Sequence, residues 1–181
     1  MVIEKIIERV NIALTSLFER DNWLIKHDIS EQSISHKLAE YLQPLFLEFN
    51  VDCEYNGNID KMNGKKKIFL VKQNLKDKGL LKESEENDIE KKLAERAVFP
   101  DIIIHKRGTN DYNLCIIEVK KSTSSVSVNY DYLKLAAYTT DLIGNDLNYN
   151  LGIFIRFIID EHNPLYEIVF YKNGEQYNFK N

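Results

Sequence analysis

Residues 98–122 read VFPDIIIHKRGTNDYNLCIIEVKKS, two apolar runs on either side of a turn-rich bend. The runs cover 101–105 and 114–119, and Arg107-Gly108-Thr109-Asn110-Asp111 lies between them. Apolar runs flanking such a segment are a β-hairpin signal. Leu114 to Ile117 is apolar without a break, as expected of a strand covered on both faces. That restricts the chain to folds in which a sheet is sandwiched by other elements.

Periodicity supplies those elements. Ile3, Ile6, Ile7, Val10, Leu14, Leu17 and Phe18 recur at helical spacing and predict an amphipathic helix over 2–20. Residues 21–27, with Trp23, form a break. A second helix is expected over 29–46, with Asp28 as its N-cap and Glu31 as the capping-box partner. A strand is expected over 51–55, ending at Asn56-Gly57. Residues 58–97 form an excursion from the core: a Lys-rich stretch with a short strand at 68–71, then an exposed charged helix over 83–96. After the hairpin come a Ser/Thr-rich loop, a helix over 130–143 that Gly144 is suited to end, and strands at 151–158 and 166–171. The order predicts an α/β fold, a mixed central sheet flanked by helices, as a single domain over 1–181.

The bulk numbers narrow the class. Hydrophobic residues make up 44% and charged residues 29%, an ordinary globular composition. No apolar run approaches the roughly 18 to 20 residues needed to cross a bilayer. The opening MVIEKIIERV has acids inside its apolar pattern, unlike a signal peptide. The expectation is a cytoplasmic protein with no membrane partner. Cys53 and Cys115 lack CxxC spacing and are read as buried free thiols. With no Cys/His cluster, zinc is not expected.

The hairpin also carries the chemistry. If it is symmetric about Thr109 and Asn110, paired residue numbers sum to 219, and Asp101 sits across from Glu118. Directly opposed residues have Cβ atoms about 5 Å apart. Two ionised carboxylates that close repel by about 4 kcal/mol at an effective dielectric of 20. A cation between them removes the penalty, and a divalent metal suits hard oxygen ligands. Lys120, two residues beyond Glu118, projects from the same face. It could orient an attacking water or offset charge building on a phosphate. Val119 points into packing, but its backbone carbonyl could also face a metal. The competing reading is a set of strand-end charges that meet solvent or pair with one another. His105 shares the face of Asp101 but lies about 13 Å along the strand, too far to join the same ion.

Pro100-Asp101 and Glu118-Val119-Lys120, in this helix–strand–hairpin–helix–strand order, resemble the PD-(D/E)xK nuclease superfamily. The resemblance covers about residues 30–157. It implies a restriction-endonuclease-like mixed sheet and Mg²⁺-dependent hydrolysis of nucleic acid, with Mn²⁺ as a substitute ion. It also implies a further acid from the helix before the sheet. Glu31 and Glu40 compete for that role. Helical phase puts Glu31 within about 40° of the apolar face of Ile34, Leu38, Tyr41, Leu42 and Leu45, and puts Glu40 and His36 on the solvent side. Glu31 keeps two readings, capping acid and site acid. Glu54, on the strand over 51–55, is either a supporting acid or an edge-strand charge.

The chain's net charge is −4, which does not favour a nucleic-acid coat protein, but local charge matters more than the sum. From Lys61 to Lys82 eight lysines face Asp77 alone. Lys65, Lys66 and Lys67 in that run are candidates for tracking a phosphate backbone; a solvated charge run is the competing reading. Lys134, on the helix over 130–143 with Asp131 and Tyr138, and Lys121, after the motif, are further candidate phosphate contacts. The Ser/Thr loop could also donate to phosphates.

The functional expectation is a metal-dependent nuclease. Asp101 and Glu118 bind the ion with the Val119 carbonyl, Lys120 positions the water, and Glu31 assists. The partner is nucleic acid, with DNA put before RNA. A homodimer follows from analogy with two-site double-strand cutters, and the first helix is a candidate interface. The alternative is a non-catalytic nucleic-acid-binding or assembly module that retains the motif, or a structural subunit of a larger complex.

Overall fold

The computed structural model describes residues 1–58, 64–87 and 91–179. Lys61 of the Lys-rich run and Asp88 and Glu90 of the acidic stretch lie outside the described residues. The chain begins with α1 (Ile3–Arg20), α2 (Trp23–Lys26) and α3 (Glu31–Leu42), which runs into a 3₁₀ turn at Gln43–Leu45. α1 follows the expected period and buries Ile6, Ile7, Val10, Ala13, Leu14 and Leu17. The break at 21–27 contains α2.

The N-cap of α3 is Ser30, not Asp28: its Oγ accepts from the Ser33 N–H at 3.1 Å. Asp28 sits two residues too early, in the left-handed region at φ 52°, and its carboxylate is used elsewhere. The capping-box reading of Glu31 fails with it.

β1 (Asn50–Cys53) stops short of Tyr55 because Glu54 turns to φ 51°. The excursion then folds as two small hairpins. β2 (Gly57–Asn58) pairs with β3 (Gly64–Lys65), and β4 (Lys67–Val71) pairs with β5 (Leu93–Ala97). Between β4 and β5 lie α4 (Lys72–Asp77) and α5 (Glu83–Glu86). The helix expected over 83–96 is therefore wrong beyond Glu86. In β5 Ala94 and Arg96 are buried while Glu95 and Ala97 are exposed, the two-residue alternation of a strand. Arg96 is tolerated inside because it donates to both Glu85 oxygens, at 2.9 and 2.7 Å, and to the Leu80 carbonyl at 2.7 Å. Read without its partner, that arginine looks like surface charge.

The hairpin follows as β6 (Ile102–His105) and β7 (Cys115–Lys121), with Ile102 opposite Ile117, Ile103 opposite Ile116 and Ile104 opposite Cys115. Each pair sums to 219, the expected register. Next comes α6 (Asn129–Tyr138), shorter than the expected 130–143; Gly144 instead closes a separate 3₁₀ turn at Leu142–Gly144. The chain ends in β8 (Leu151–Ile158), β9 (Leu165–Lys172) and β10 (Glu175–Tyr177). β10 was not expected. Asn173 and Gly174 both have positive φ and join β9 to β10 by a two-residue hairpin turn.

Among the described residues the central sheet has six strands in the order β1-β6-β7-β8-β9-β10. β7 and β8 run parallel, and the other neighbours run antiparallel. The fold is mixed α/β, with helices on both sheet faces. On one face Ile102, Ile104, Cys115, Ile117, Val119, Leu151 and Ile153 join the core of α1 and α3. On the other, Ile103, Ile116 and Phe154 pack with Leu135, Ala137 and Tyr138 of α6 and with Ile68, Leu70 and Ala94 of the β4–β5 hairpin. Gly152 lets α6 approach β8: a Cβ there would lie 3.1 Å from Thr139 and 3.2 Å from Leu135 and Tyr171. Both cysteines are free, Cys115 buried and Cys53 half-buried. Among the described residues no helix is long and apolar enough to cross a membrane.

β1 is tied to the hairpin by charge as well as by the ladder. Asp52 accepts from His105 Nε2 at 2.9 Å and from Arg107 Nε at 2.9 Å, with a second Arg107 contact through its Nη2. Arg107 holds the Asp52 carboxyl below the usual aspartate range, burial opposes this, and His105 adds to the lowering. A depressed native pKa stabilises the fold above the unfolded value and ceases to do so as pH falls through the native one. Asp52→Asn is therefore expected to cost about 1–2 kcal/mol in urea unfolding at pH 7. The gap should close as the pH is lowered from about 5 towards 3; a gap that persists at acid pH would remove the charge from this account.

Candidate functional site

The face of β7 that carries Ile116 also carries Glu118 and Lys120. Continuing the observed register places Asp101, just before β6, opposite Glu118. The two acids thus share one face, beneath α6. Glu118 is only 2% exposed. A carboxylate so deep needs a partner, because an unpaired buried charge costs several kcal/mol. Its partner is Lys134 on α6, whose Nζ lies 2.6 Å from Glu118 Oε2. The same ammonium is 2.9 Å from Asp131 Oδ1, one helical turn earlier.

Lys120 extends the cluster to the other layer. Its Nζ is 3.5 Å from Asp131 Oδ2 and 3.5 Å from Glu31 Oε2. Glu31, at the first turn of α3, also accepts from the Lys121 N–H at 2.8 Å. Asp101 is anchored by the backbone, its Oδ2 accepting from the Val119 N–H at 2.7 Å. The Val119 side chain faces the other way, into the α1–α3 core. Asp101, Glu118, Lys120 and Glu31 are therefore brought together at the carboxyl end of β7, with Lys134 and Asp131 among them. In the sequence Asp131 stands out only as a companion of Lys134. Its signal was the acid–lysine pair at i,i+3 on a helix following the motif.

Four carboxylates (Glu31, Asp101, Glu118, Asp131) surround two ammonium groups (Lys120, Lys134). Burial lifts the Glu118 carboxyl above the ordinary range, Lys134 pulls against it, and Asp101 reinforces it. Burial likewise raises Asp101, opposed by the Val119 N–H and Lys134. For Lys134 burial favours the neutral amine, but Glu118 and Asp131 outweigh it and strengthen the ammonium. The cluster is short of positive charge. Glu118 Oε1 and Asp131 Oδ2 are also buried without a hydrogen bond. The buried Tyr138 hydroxyl neighbours Glu118 and has no other partner among the described residues; burial, and then Glu118, hold its pKa well above the ordinary phenol range. Hard oxygen donors with spare lone pairs suit a divalent cation. Lysines are interleaved with these acids. Among the described residues no three Asp, Glu, His or Cys groups stand close enough together to hold a metal ion by themselves.

The remaining candidates lie apart from this cluster. Lys121 reaches Asp28, with its Nζ 2.7 Å from the carboxylate and 3.2 Å from the carbonyl. Thr123 donates to the same Asp28 oxygen at 2.8 Å, and Ser122 Oγ accepts from the Ile159 N–H at 2.9 Å. Part of the Ser/Thr loop is thus spent on structure. Lys66 corrects its expectation: it is 1% exposed, donates to the Gly57 carbonyl at 2.7 Å and lies 4.8 Å over the Tyr55 ring. Burial pushes its pKa down to about 8. A side chain packed this way is not presented to a phosphate backbone. Lys65 is exposed, and Lys67 pairs with Glu95. Glu54 is exposed, Glu40 pairs with Lys37 at 2.7 Å on the solvent side, and His36 is exposed there too.

Glu31 should therefore matter to folding in a way that separates its two contacts. Glu31→Ala is expected to lose about 1–2 kcal/mol in urea unfolding. Glu31→Gln, whose amide oxygen still accepts from Lys121 N–H, should recover most of it. An equal loss in both would assign the effect to the Lys120 contact instead.

No protein-family model, curated protein or solved structure matches the chain.

Proposed function

We propose that the chain is a divalent-metal-dependent nuclease of the PD-(D/E)xK type, with a restriction-endonuclease-like fold, acting on nucleic acid and on DNA before RNA. The observation that carries this reading is the gathering of Asp101, Glu118 and Lys120 on one sheet face, with an excess of buried carboxylate. Asp101 and Glu118, with the Val119 carbonyl, would hold Mg²⁺ or Mn²⁺. Bound there, the ion would supply a lowered water pKa and polarisation of the scissile phosphate.

This chain's own groups would do the rest. Glu118 Oε1 has a lone pair to spare. Asp101 is oriented by the Val119 N–H, so its free oxygen keeps a fixed direction. Lys120, held between Glu31 and Asp131, presents an ammonium at the cluster's edge, where it can orient a water and offset charge on a phosphate. Exposed Lys65, with Lys67 and Lys121 once drawn from their acidic partners, would add non-specific phosphate attraction.

One observation favours a second reading, a non-catalytic nucleic-acid-binding or assembly module. Glu118 and Asp101 already have partners in Lys134 and the Val119 N–H, so the cluster can serve as an internal brace between layers.

Cleavage of plasmid and of labelled oligonucleotides with Mg²⁺ or Mn²⁺ separates the two. The nuclease reading expects cutting that falls roughly 100-fold or more in Asp101→Asn and in Lys120→Ala, with circular dichroism showing both variants folded. Nucleic-acid binding without any metal-dependent cutting would establish the second reading.

A further inference from the structure

We propose that Lys134 is the site's internal counter-ion, holding the cation position against Glu118 until a divalent metal displaces it. The inference rests on the metal reading of Asp101 and Glu118 and adds a competitor to it.

The placement of the ammonium is the argument. Lys134 Nζ sits 2.6 Å from Glu118 Oε2, the nearer of its two carboxylate partners. A metal held by both oxygens of that carboxylate would lie at about 2.0–2.6 Å from Oε2 as well as from Oε1. An ammonium and a divalent ion both at that distance from Oε2 would crowd and repel each other. Oε1 is the oxygen a metal can reach first, and engagement of the whole carboxylate then requires the ammonium to leave Oε2.

The structure holds a place for it to go. Asp131 Oδ1 is already 2.9 Å from Nζ, and the Tyr130 ring lies 5.4 Å from it. A lysine has rotatable bonds enough to release one carboxylate while keeping the other. Asp131 is 5% exposed, so it is not satisfied by bulk water when alone. Asp131 then keeps its own counter-charge after the exchange, and Glu118 gains a metal in place of an ammonium. The pairing that braces the metal-free protein becomes the barrier that a metal must overcome.

The test uses Lys134→Met, which keeps the stem's bulk and removes the charge. Free Mn²⁺ is measured by electron paramagnetic resonance during titration of wild type and variant, without nucleic acid. Displacement predicts Mn²⁺ binding that tightens by roughly tenfold or more in the variant, the weight of one close charge pair removed. It also predicts a larger rise in unfolding temperature on adding Mn²⁺ than wild type shows, and Lys134→Arg should return the affinity towards wild type. Unchanged or weaker binding in Lys134→Met overturns the proposal, because Lys134 would then support the ligands rather than compete with the ion. If Lys134→Met fails to fold, a Mn²⁺-soaked crystal of the wild type decides. Nζ beyond hydrogen-bond reach of Glu118 upholds the exchange; Nζ still bonded to Glu118 beside a bound ion overturns it. Absence of Mn²⁺ binding in both proteins overturns this proposal and the metal reading together. Mn²⁺ binding with displacement but no cleavage overturns only the nuclease reading.

Discussion

A carboxylate at the middle of a sheet is the interaction on which the rest of the structure hangs. Glu118 lies between Ile117 and Val119 on β7, an interior strand of the sheet, 2% exposed, where solvation by water is lost. Removing an ion from water costs several kcal/mol unless an opposite charge and hydrogen bonds replace the solvent. Lys134 supplies that charge, and it comes from α6, the helix that covers this face. The pairing therefore fixes more than two side chains. It joins α6, seated on this face by Leu135, Ala137 and Tyr138, to β7, and the same seating brings Asp131 next to Lys120. The close approach over Gly152 is consistent with a helix held tightly at that place.

The cluster sits at the carboxyl end of β7, beside its parallel neighbour β8. Strand geometry explains why two layers meet there. Alternate residues point to opposite faces, so Glu118 and Lys120 look towards α6 while Val119 and Lys121 look towards α3. The backbone at the strand's end is still free to bond, and Glu31 from α3 takes the Lys121 N–H. Both helices begin near this end, so their acids converge on it. In open α/β sheets such strand ends are where ligands bind, because there the loops and helix starts surround a space that the core does not fill.

A second charged centre shows how differently the fold uses the same residue types. Asp52, His105 and Arg107 are joined directly, with Lys66 and Tyr55 beside them. There each acid and base finds its partner and no oxygen of Asp52 is left over. The site around Glu118 differs by having more carboxylates than ammonium groups and a buried Glu118 oxygen without a hydrogen bond. That surplus, rather than the presence of charge, is what marks the place as chemically capable.

Much of this was legible locally. The apolar spacing of α1, the limits of β8 and the register of the β6–β7 hairpin follow from periods of 3.6 and 2 and from one bend. Asp101 and Glu118 could be paired by counting, and helical phase put Glu31 on the buried side. The failures share one cause. Arg96 and Lys66 read as surface charge, yet both are buried, because Glu85 and the Gly57 carbonyl meet them from other segments. Asp28 read as a cap, yet it holds Lys121, a residue far along the chain. The Asn173-Gly174 pair is a local hairpin signal, and it does turn the chain from β9 into β10.

What the amino-acid sequence determined by itself is the pairing of two acids across a hairpin, since strand alternation and turn position depend only on near neighbours. What the tertiary structure decided is which charges face those acids. Lys134 and Asp131 could have lain on the solvent side of their helix, and spacing alone did not exclude it. Only the packing of α6 onto the sheet, driven by apolar burial along the helix, carries them to Glu118, because the partner of a buried charge is set by the distance between segments and not by the residues beside it.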